Sequence, residues 1–76
     1  IGRDRFLRNV MIALGNSAER KLVPSVEARL DDTSPLVRAA AIWALGELDR
    51  RRALQFKAAR LPAEQDAAVR AEWNAL

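Results

Sequence analysis

The side chains best suited to chemistry form a basic group near the start of the chain. Arg5, Arg8 and Asn9 are spaced at i, i+3 and i+4, and Arg3 lies just ahead of them. On a helix, this spacing brings side chains onto a shared face. Arg offers a planar fork of donors and Asn a short neutral donor, and both suit phosphate oxygens. The pattern suits contacts with a nucleic-acid backbone, although from these residues alone a solvated face, on which Asp4 pairs with Arg8, is the favoured interpretation.

Two further groups are weaker candidates for the same chemistry. Asn16, with Ser17, could donate to phosphate from a turn, although ending one helix and capping the next is the favoured interpretation. No acid interrupts residues 50–60, and such a stretch attracts nucleic-acid backbones in a salt-dependent way. A run of charge is more often a solvated outer face, which is the favoured alternative here. The basic residues of this stretch are Arg50, Arg51, Arg52, Lys57 and Arg60.

The composition argues against a catalytic or metal site in this chain. It has neither Cys nor His, which removes the thiolate ligands, the usual general base and the commonest metal ligand. Glu64, Asp66 and Glu72 are scattered carboxylates without such companions. We therefore expect no catalysis and no bound metal or cofactor in these 76 residues alone. The net charge of +3 is only a mild bias towards an anionic partner.

The chain also gives expectations about its setting. Apolar runs such as residues 10–14 are far too short to span a bilayer, so no membrane partner is expected. No signal peptide is visible, which favours the cytoplasm. The first residue is Ile, and we expect a piece of a longer protein that forms a single domain over residues 1–76.

A repeat of 31 residues organises these side chains. Ala13-Leu14-Gly15 recurs as Ala44-Leu45-Gly46, and the chain ends on Ala75-Leu76. A fixed period in this range is the signature of stacked helical repeats, in which each unit buries its apolar face against its neighbours. The pattern predicts an all-α fold, an α–α superhelix of about five helices with short links.

Local signals set the expected helix limits. Asp4 can cap the first helix, and Ser34 followed by Pro35 is a strong start for the third. Pro24 belongs in the first turn of the second helix, which should be regular only from about Leu22. In the fourth helix, Leu54, Ala58 and Leu61 are expected to face inward. The predicted helices cover residues 4–15, 19–30, 35–48 and 63–75, and the fourth helix, which follows residues 50–52, ends at about residue 61.

The apolar and charged positions of the unit resemble the HEAT-like repeat of about 30 residues. The residues that fit are Val26, Leu30, Asp32, Val37, Arg38, Ala41, Ala44, Leu45 and Gly46. The resemblance implies that Asp32 and Arg38, six positions apart, form a structural ladder that ties successive turns and helices together. Trp43 and Trp73 occupy similar repeat positions, where core packing is favoured over stacking on a nucleic-acid base.

Three blocks in order resemble the C-terminal region of epoxyqueuosine reductase. They are residues 2–10 with 15–17, residues 34–38 with 41–45, and residues 69–73. The resemblance implies a bacterial enzyme that reduces epoxyqueuosine to queuosine in tRNA, with cobalamin and two [4Fe–4S] clusters held by upstream domains. It implies a tRNA-docking role here, with Arg3, Arg5, Arg8, Asn9 and Asn16 as the candidate contacts. The alternative is a general HEAT-like scaffold that binds a protein partner.

The first helix lacks the partner that would complete its repeat unit. We therefore expect part of Phe6, Leu7 or Met11 to be exposed, as a patch that the upstream catalytic domains or a second copy of the chain would cover.

Overall fold

The computed structural model describes residues 2–76, and every regular element in that range is helical. Two short 3₁₀ turns cover Arg20–Leu22 and Leu61–Ala63. The prediction of an all-α fold with five helices is confirmed. The helices are α1 (Gly2–Asn16), α2 (Val23–Glu27), α3 (Pro35–Leu48), α4 (Arg50–Arg60) and α5 (Ala67–Asn74).

The helix α3 is the centre of the molecule. It packs most extensively against α1 on one side, then against α5 on the other, and it also contacts α2 and α4. The helices α1, α3 and α5 therefore form one layer, and α2 with α4 form a second layer over α3. One apolar cluster joins the layers, and its fully buried large side chains include Trp73, Ile42, Leu45 and Val26. The core position predicted for Trp73 is confirmed, whereas Trp43 is only half-buried.

Side-chain caps begin the helices where the sequence supplies them. Ser34 Oγ accepts from the amide of Val37 at the start of α3, and Asp66 Oδ1 accepts from the amide of Val69 at 3.0 Å at the start of α5. Each cap satisfies an amide that has no partner within its own helix. The predicted start of α3 at Pro35 is thus confirmed, and α5 begins later than predicted because residues 61–63 form their own turn.

The first two helices differ from their predictions, α1 at both of its ends. The helix already begins at Gly2, so Asp4 lies within it and does not cap it. It continues through Asn16, one residue beyond its predicted end, and the left-handed residue that reverses the chain is Ala18, with φ of 60°. The second helix is also shorter than predicted: regular α-helix covers only Val23–Glu27, with Pro24 in its first turn.

The glycine of the first Ala-Leu-Gly copy explains how closely α1 and α3 pack. A Cβ atom on Gly15 would lie 2.6 Å from Cζ3 of Trp43 and 2.9 Å from Cα of Ala44. No side chain fits at those distances, so glycine is required for the backbones to approach. The equivalent Gly46 faces only the end of the Leu76 side chain, 2.7 Å from its Cδ2.

Candidate functional site

Four of the predicted phosphate contacts lie on one side of α1. At 3.6 residues per turn, Arg5, Arg8, Asn9 and Asn16 fall within an arc of about 100°, whose centre is about 110° around the helix from the buried Met11. Arg5, Asn9 and Asn16 are exposed, and Arg8 is half-buried. Nε and Nη2 of Arg8 donate to Oδ1 of Asn9 at 3.3 and 3.2 Å. We call this set of four the α1 face.

The α1 face keeps its positive charge unopposed within the described chain. Neither Arg5 nor Arg8 forms an ion pair with any carboxylate of residues 2–76. Asp4, the predicted partner of Arg8, pairs instead with Nη1 of Arg3 at 2.8 Å. Two guanidinium groups and two side-chain amides are therefore available to an external anion.

Arg3 has a different environment from the α1 face. Its Nη2 donates to Oδ1 of Asp32 at 2.6 Å and its Nη1 to Oδ2 at 3.3 Å. The Asp32 side chain is only 3% exposed, and the hydrogen bond from Arg3 lowers the pKa of its carboxyl group. Arg3 thus ties α1 to the loop before α3, and a contact with tRNA would compete with this ion pair.

The predicted ladder residues Asp32 and Arg38 contact each other through the backbone. Nη1 of Arg38 donates to the carbonyl oxygen of Asp32 at 2.9 Å, while Nε and Nη2 each donate to the Glu64 carboxylate at 3.0 Å. Arg38 thereby lowers the pKa of Glu64. The carboxylate rungs are Arg3–Asp32 and Arg38–Glu64, and each joins one helical unit to the loop of the next.

Most of the basic stretch at residues 50–60 is engaged within the fold. Arg52 pairs with Glu27, and Arg60 binds the Asp31 carboxylate with two hydrogen bonds of 3.0 Å. Both guanidinium groups also lie over the ring of Phe56, 5.4 and 4.6 Å from its centre. These ion pairs attach α4 to α2 and to the loop that follows α2.

The other basic residues of that stretch differ from one another. Arg50 donates to the carbonyl oxygen of Leu76 at the other end of the second hairpin. Arg51 is exposed, and Lys57 is half-buried. Neither Arg51 nor Lys57 forms an ion pair among residues 2–76, so Arg51 is an exposed charge of the stretch without a carboxylate partner in that range.

A shallow apolar groove crosses the layer of α1, α3 and α5. Its volume is about 320 Å³, and Arg8 and Glu72 lie at its borders on α1 and α5. Sequence reasoning missed this groove because Ile12 and Leu36 fall outside the apolar stripes of their helices. That departure was the available signal, since exposed apolar side chains off the core stripe often mark an interaction site. The remaining lining residues are Ala39, Ala40 and Trp43.

The described residues contain no cluster that could hold a metal ion and no helix that could cross a membrane. Over residues 2–76, no three His, Cys, Asp or Glu side chains are placed to hold a metal ion. Within the same range, no helix combines the length and apolar character needed to cross a membrane.

Stacked helical hairpins joined by arginine–carboxylate rungs define a helical-repeat scaffold. Residues 3–76 match the family of HEAT repeats, and the chain belongs to that family. No curated protein and no solved structure compared with the chain matches it. The family assignment fixes the scaffold, while the choice of partner depends on the surfaces just described.

Proposed function

We propose that this HEAT repeat chain docks tRNA through the α1 face, as the C-terminal part of an epoxyqueuosine reductase. The observation that carries the proposal is the shared face of the exposed Arg5, Asn9 and Asn16 with the half-buried Arg8, on which neither arginine has a carboxylate partner among residues 2–76. Unopposed guanidinium groups beside neutral amide donors suit phosphate oxygens, and such contacts set register on an RNA without reading its bases. The resemblance of three sequence blocks to that reductase supports the choice of tRNA.

The proposed role is to position tRNA, and the chemistry lies elsewhere. The chain has no Cys or His, so its residues do not fit the ligand sets of iron–sulfur clusters. In the proposed parent enzyme, a cytoplasmic oxidoreductase, cobalamin and two [4Fe–4S] clusters belong to the upstream domains. The rigid layer of α1 and α3 would hold the tRNA backbone while the wobble base reaches those domains.

A salt titration of tRNA affinity tests this proposal. Replacing Arg5 and Arg8 together by Gln should weaken tRNA binding about tenfold at low salt and reduce the slope of log affinity against log salt by about 1–2. Lys21→Gln is the matched control, because Lys21 is exposed in the turn after α1 and forms no ion pair among residues 2–76. An affinity independent of salt, or equal losses in variant and control, would contradict tRNA docking.

A second candidate function is the binding of a protein segment in the apolar groove. The specific observation in its favour is the volume of about 320 Å³, with an exposed Leu36 in its lining and opposite charges, Arg8 and Glu72, at its borders. A partner segment that carries an apolar side chain next to an acidic one would fit the end of the groove near Arg8.

The neutral substitution Leu36→Gln separates the two candidates. Under tRNA docking, it should leave tRNA affinity within about twofold, because phosphate contacts dominate binding. Under protein docking, association with the partner should fall after Leu36→Gln and depend little on salt. Thermal melting of the variant checks that the fold is retained, as expected for a side chain that is largely exposed.

We also propose that the upstream catalytic domains cover the end of α1 at Phe6. This side chain is 65% exposed, the largest exposure among the large apolar residues of the described chain, and Leu7 beside it is half-buried. The isolated chain should then self-associate weakly through this end, and Phe6→Ser should abolish the association. Sedimentation that detects only monomer at high concentration would argue against an uncovered interface.

A further inference from the structure

A second groove lies at the outer edge of the last hairpin, away from α1. It is lined by Leu54, Ala58, Leu61 and Pro62, with Lys57 and Arg70 as its charged residues, and its volume is about 460 Å³. We call it the edge groove. Leu54, Ala58 and Leu61 are the residues that the sequence pattern assigned to the inward side of the fourth helix. Leu54 is 42% exposed and Ala58 is exposed, while Leu61 is half-buried and packs partly against the core.

One repeat earlier, the equivalent positions are covered. Leu54 and Leu61 follow Val23 and Leu30 by 31 residues, and both earlier residues are buried, with 8% and 3% exposure. They belong to the same core cluster as Ala53 of α4. The helix α4 is held there by the Arg52–Glu27 and Arg60–Asp31 ion pairs. Val23 and Leu30 are therefore buried in a core to which α4 contributes, and α4 carries its own ionic attachments.

Arg70 repeats half of the geometry of Arg38. Nη1 of Arg38 donates to the carbonyl oxygens of Asp32 and Thr33 at 2.9 and 3.2 Å. Arg70, 32 residues later, directs its Nη1 to the carbonyl oxygens of Glu64 and Leu61 at 2.9 and 3.1 Å. In both cases, the backbone contacts fix the plane of the guanidinium group relative to the loop.

The two arginines differ in what the other guanidinium atoms, Nε and Nη2, bind. Nε and Nη2 of Arg38 hold the Glu64 carboxylate, whereas the same two atoms of Arg70 meet no carboxylate within residues 2–76. An arginine fork that is already oriented loses little entropy when a carboxylate binds. Lys57 adds a second positive charge, and no acidic residue lines the edge groove.

We propose that the edge groove and Arg70 together dock an amphipathic helix that is followed by an acidic residue, presented by a partner polypeptide. The apolar stripe of that helix covers Leu54, Ala58 and Leu61, and its acidic residue pairs with Nε and Nη2 of Arg70. The chemistry required is that of residues 49–66 of this chain, since α4 and Glu64 make the same two contacts one repeat earlier. This site is independent of tRNA docking.

A peptide with the sequence of residues 48–67 is the probe for this site. Added to the isotopically labelled 76-residue chain, it should bind saturably and shift the amide signals of Leu54, Ala58, Leu61 and Arg70. Arg70→Gln should weaken binding about tenfold, the loss expected for a charge-assisted bidentate pair. The matched control is Arg51→Gln, which removes the same charge from an exposed side chain outside the edge groove, and it should change affinity less than about twofold.

The peptide variant Glu64→Gln completes a double-mutant cycle with Arg70→Gln. We expect each single change to weaken binding by a similar factor, and the two together to weaken it little further, because both remove the same contact. The absence of saturable binding up to about 1 mM, a range in which even weak docking is detectable, would overturn the proposal. Equal losses from Arg70→Gln and Arg51→Gln, or shifts confined to α2 and α3, would also overturn it. No outcome bears on tRNA docking, because tRNA is not present.

Discussion

The two hairpins, α2 with α3 and α4 with α5, carry the same apolar and charged pattern, yet they differ in burial. In the first hairpin, Leu30 is buried and Arg38 binds both its own loop and the carboxylate of the next. In the second, Leu61 is half-buried and Arg70 binds only its own loop. A similar side chain at a similar repeat position therefore contributes to the core in one hairpin and to a surface in the other.

The difference shows that a repeat position has no fixed energetic role. Burial of an apolar residue stabilises the fold in proportion to the area that neighbours remove from water. The first hairpin has a neighbour on each side, α1 and the second hairpin, whereas the second hairpin has one among residues 2–76. Substitutions at paired positions should therefore change the free energy of unfolding by different amounts. The size of the difference indicates how much of each side chain the neighbouring helices cover.

The largest inequality is expected for the paired leucines. Leu30→Ala should cost about 2–5 kcal/mol of unfolding free energy, because it leaves a cavity in a packed core. Leu61→Ala should cost at most about half as much, since the side chain is half-exposed at the edge groove. Urea unfolding followed by circular dichroism measures both. Equal losses would mean that the two hairpins are equally well packed in solution.

The paired arginines should show the next largest effect. Arg38→Gln should cost about 1.5–3 kcal/mol, because it removes charge-assisted hydrogen bonds and leaves the largely buried Glu64 carboxylate without its partner. Arg70→Gln should cost less than about 1 kcal/mol, the usual value for an exposed charge. Thermal melting compares them. An Arg38 variant with unchanged melting and lost tRNA binding would contradict its structural role.

The two glycines of the repeated Ala-Leu-Gly motif give a smaller contrast. Gly15→Ala should destabilise the chain by about 1–2 kcal/mol, since overpacking against the Ala44 backbone outweighs the gain in helix propensity. Gly46→Ala should be neutral or slightly stabilising, because the only atom it meets is at the end of the flexible Leu76 side chain, which can move aside. The midpoints of urea unfolding at equal slope test the difference. A stabilising Gly15→Ala would show that α1 and α3 are not so closely packed.

The smallest effect is the response of stability to pH. The folded chain lowers the pKa values of Asp31, Asp32, Asp49 and Glu64, chiefly through hydrogen bonds to Arg60, Arg3, the Arg52 amide and Arg38, respectively. A lowered pKa means that the ionised form favours folding, so this stability is complete above the unfolded values near about pH 4 and is lost as the pH falls through the folded values.

The melting temperature should therefore be constant between about pH 5 and 7 and fall below about pH 4. Arg38→Gln should weaken the acid dependence, since Glu64 loses the contact that lowers its pKa, whereas Arg70→Gln should leave the profile unchanged. A melting temperature that rises on acidification would contradict the assigned ion pairs.

The outline of the fold could be predicted because its signals are local. The third helix was predicted at its observed limits, since Ser34 and Pro35 mark its start unambiguously. The spacing of Arg5, Arg8 and Asn9 likewise predicted their shared face on α1, because helix periodicity alone decides it. By contrast, the length of α2 and the late start of α5 depend on 3₁₀ turns that propensity does not specify.

The sequence by itself determined the all-α class, the period of 31 residues, the side chains on each helix face and the absence of Cys and His chemistry. These follow from periodicity and residue type, which act over a few residues. Only the tertiary structure decided that Arg3 binds Asp32 while Arg5 and Arg8 have no carboxylate partner among residues 2–76, and that Leu54 faces the edge groove although its pattern assigned it to the core. Ion pairing and burial depend on which helices meet, and that geometry arises from contacts between residues far apart in the chain.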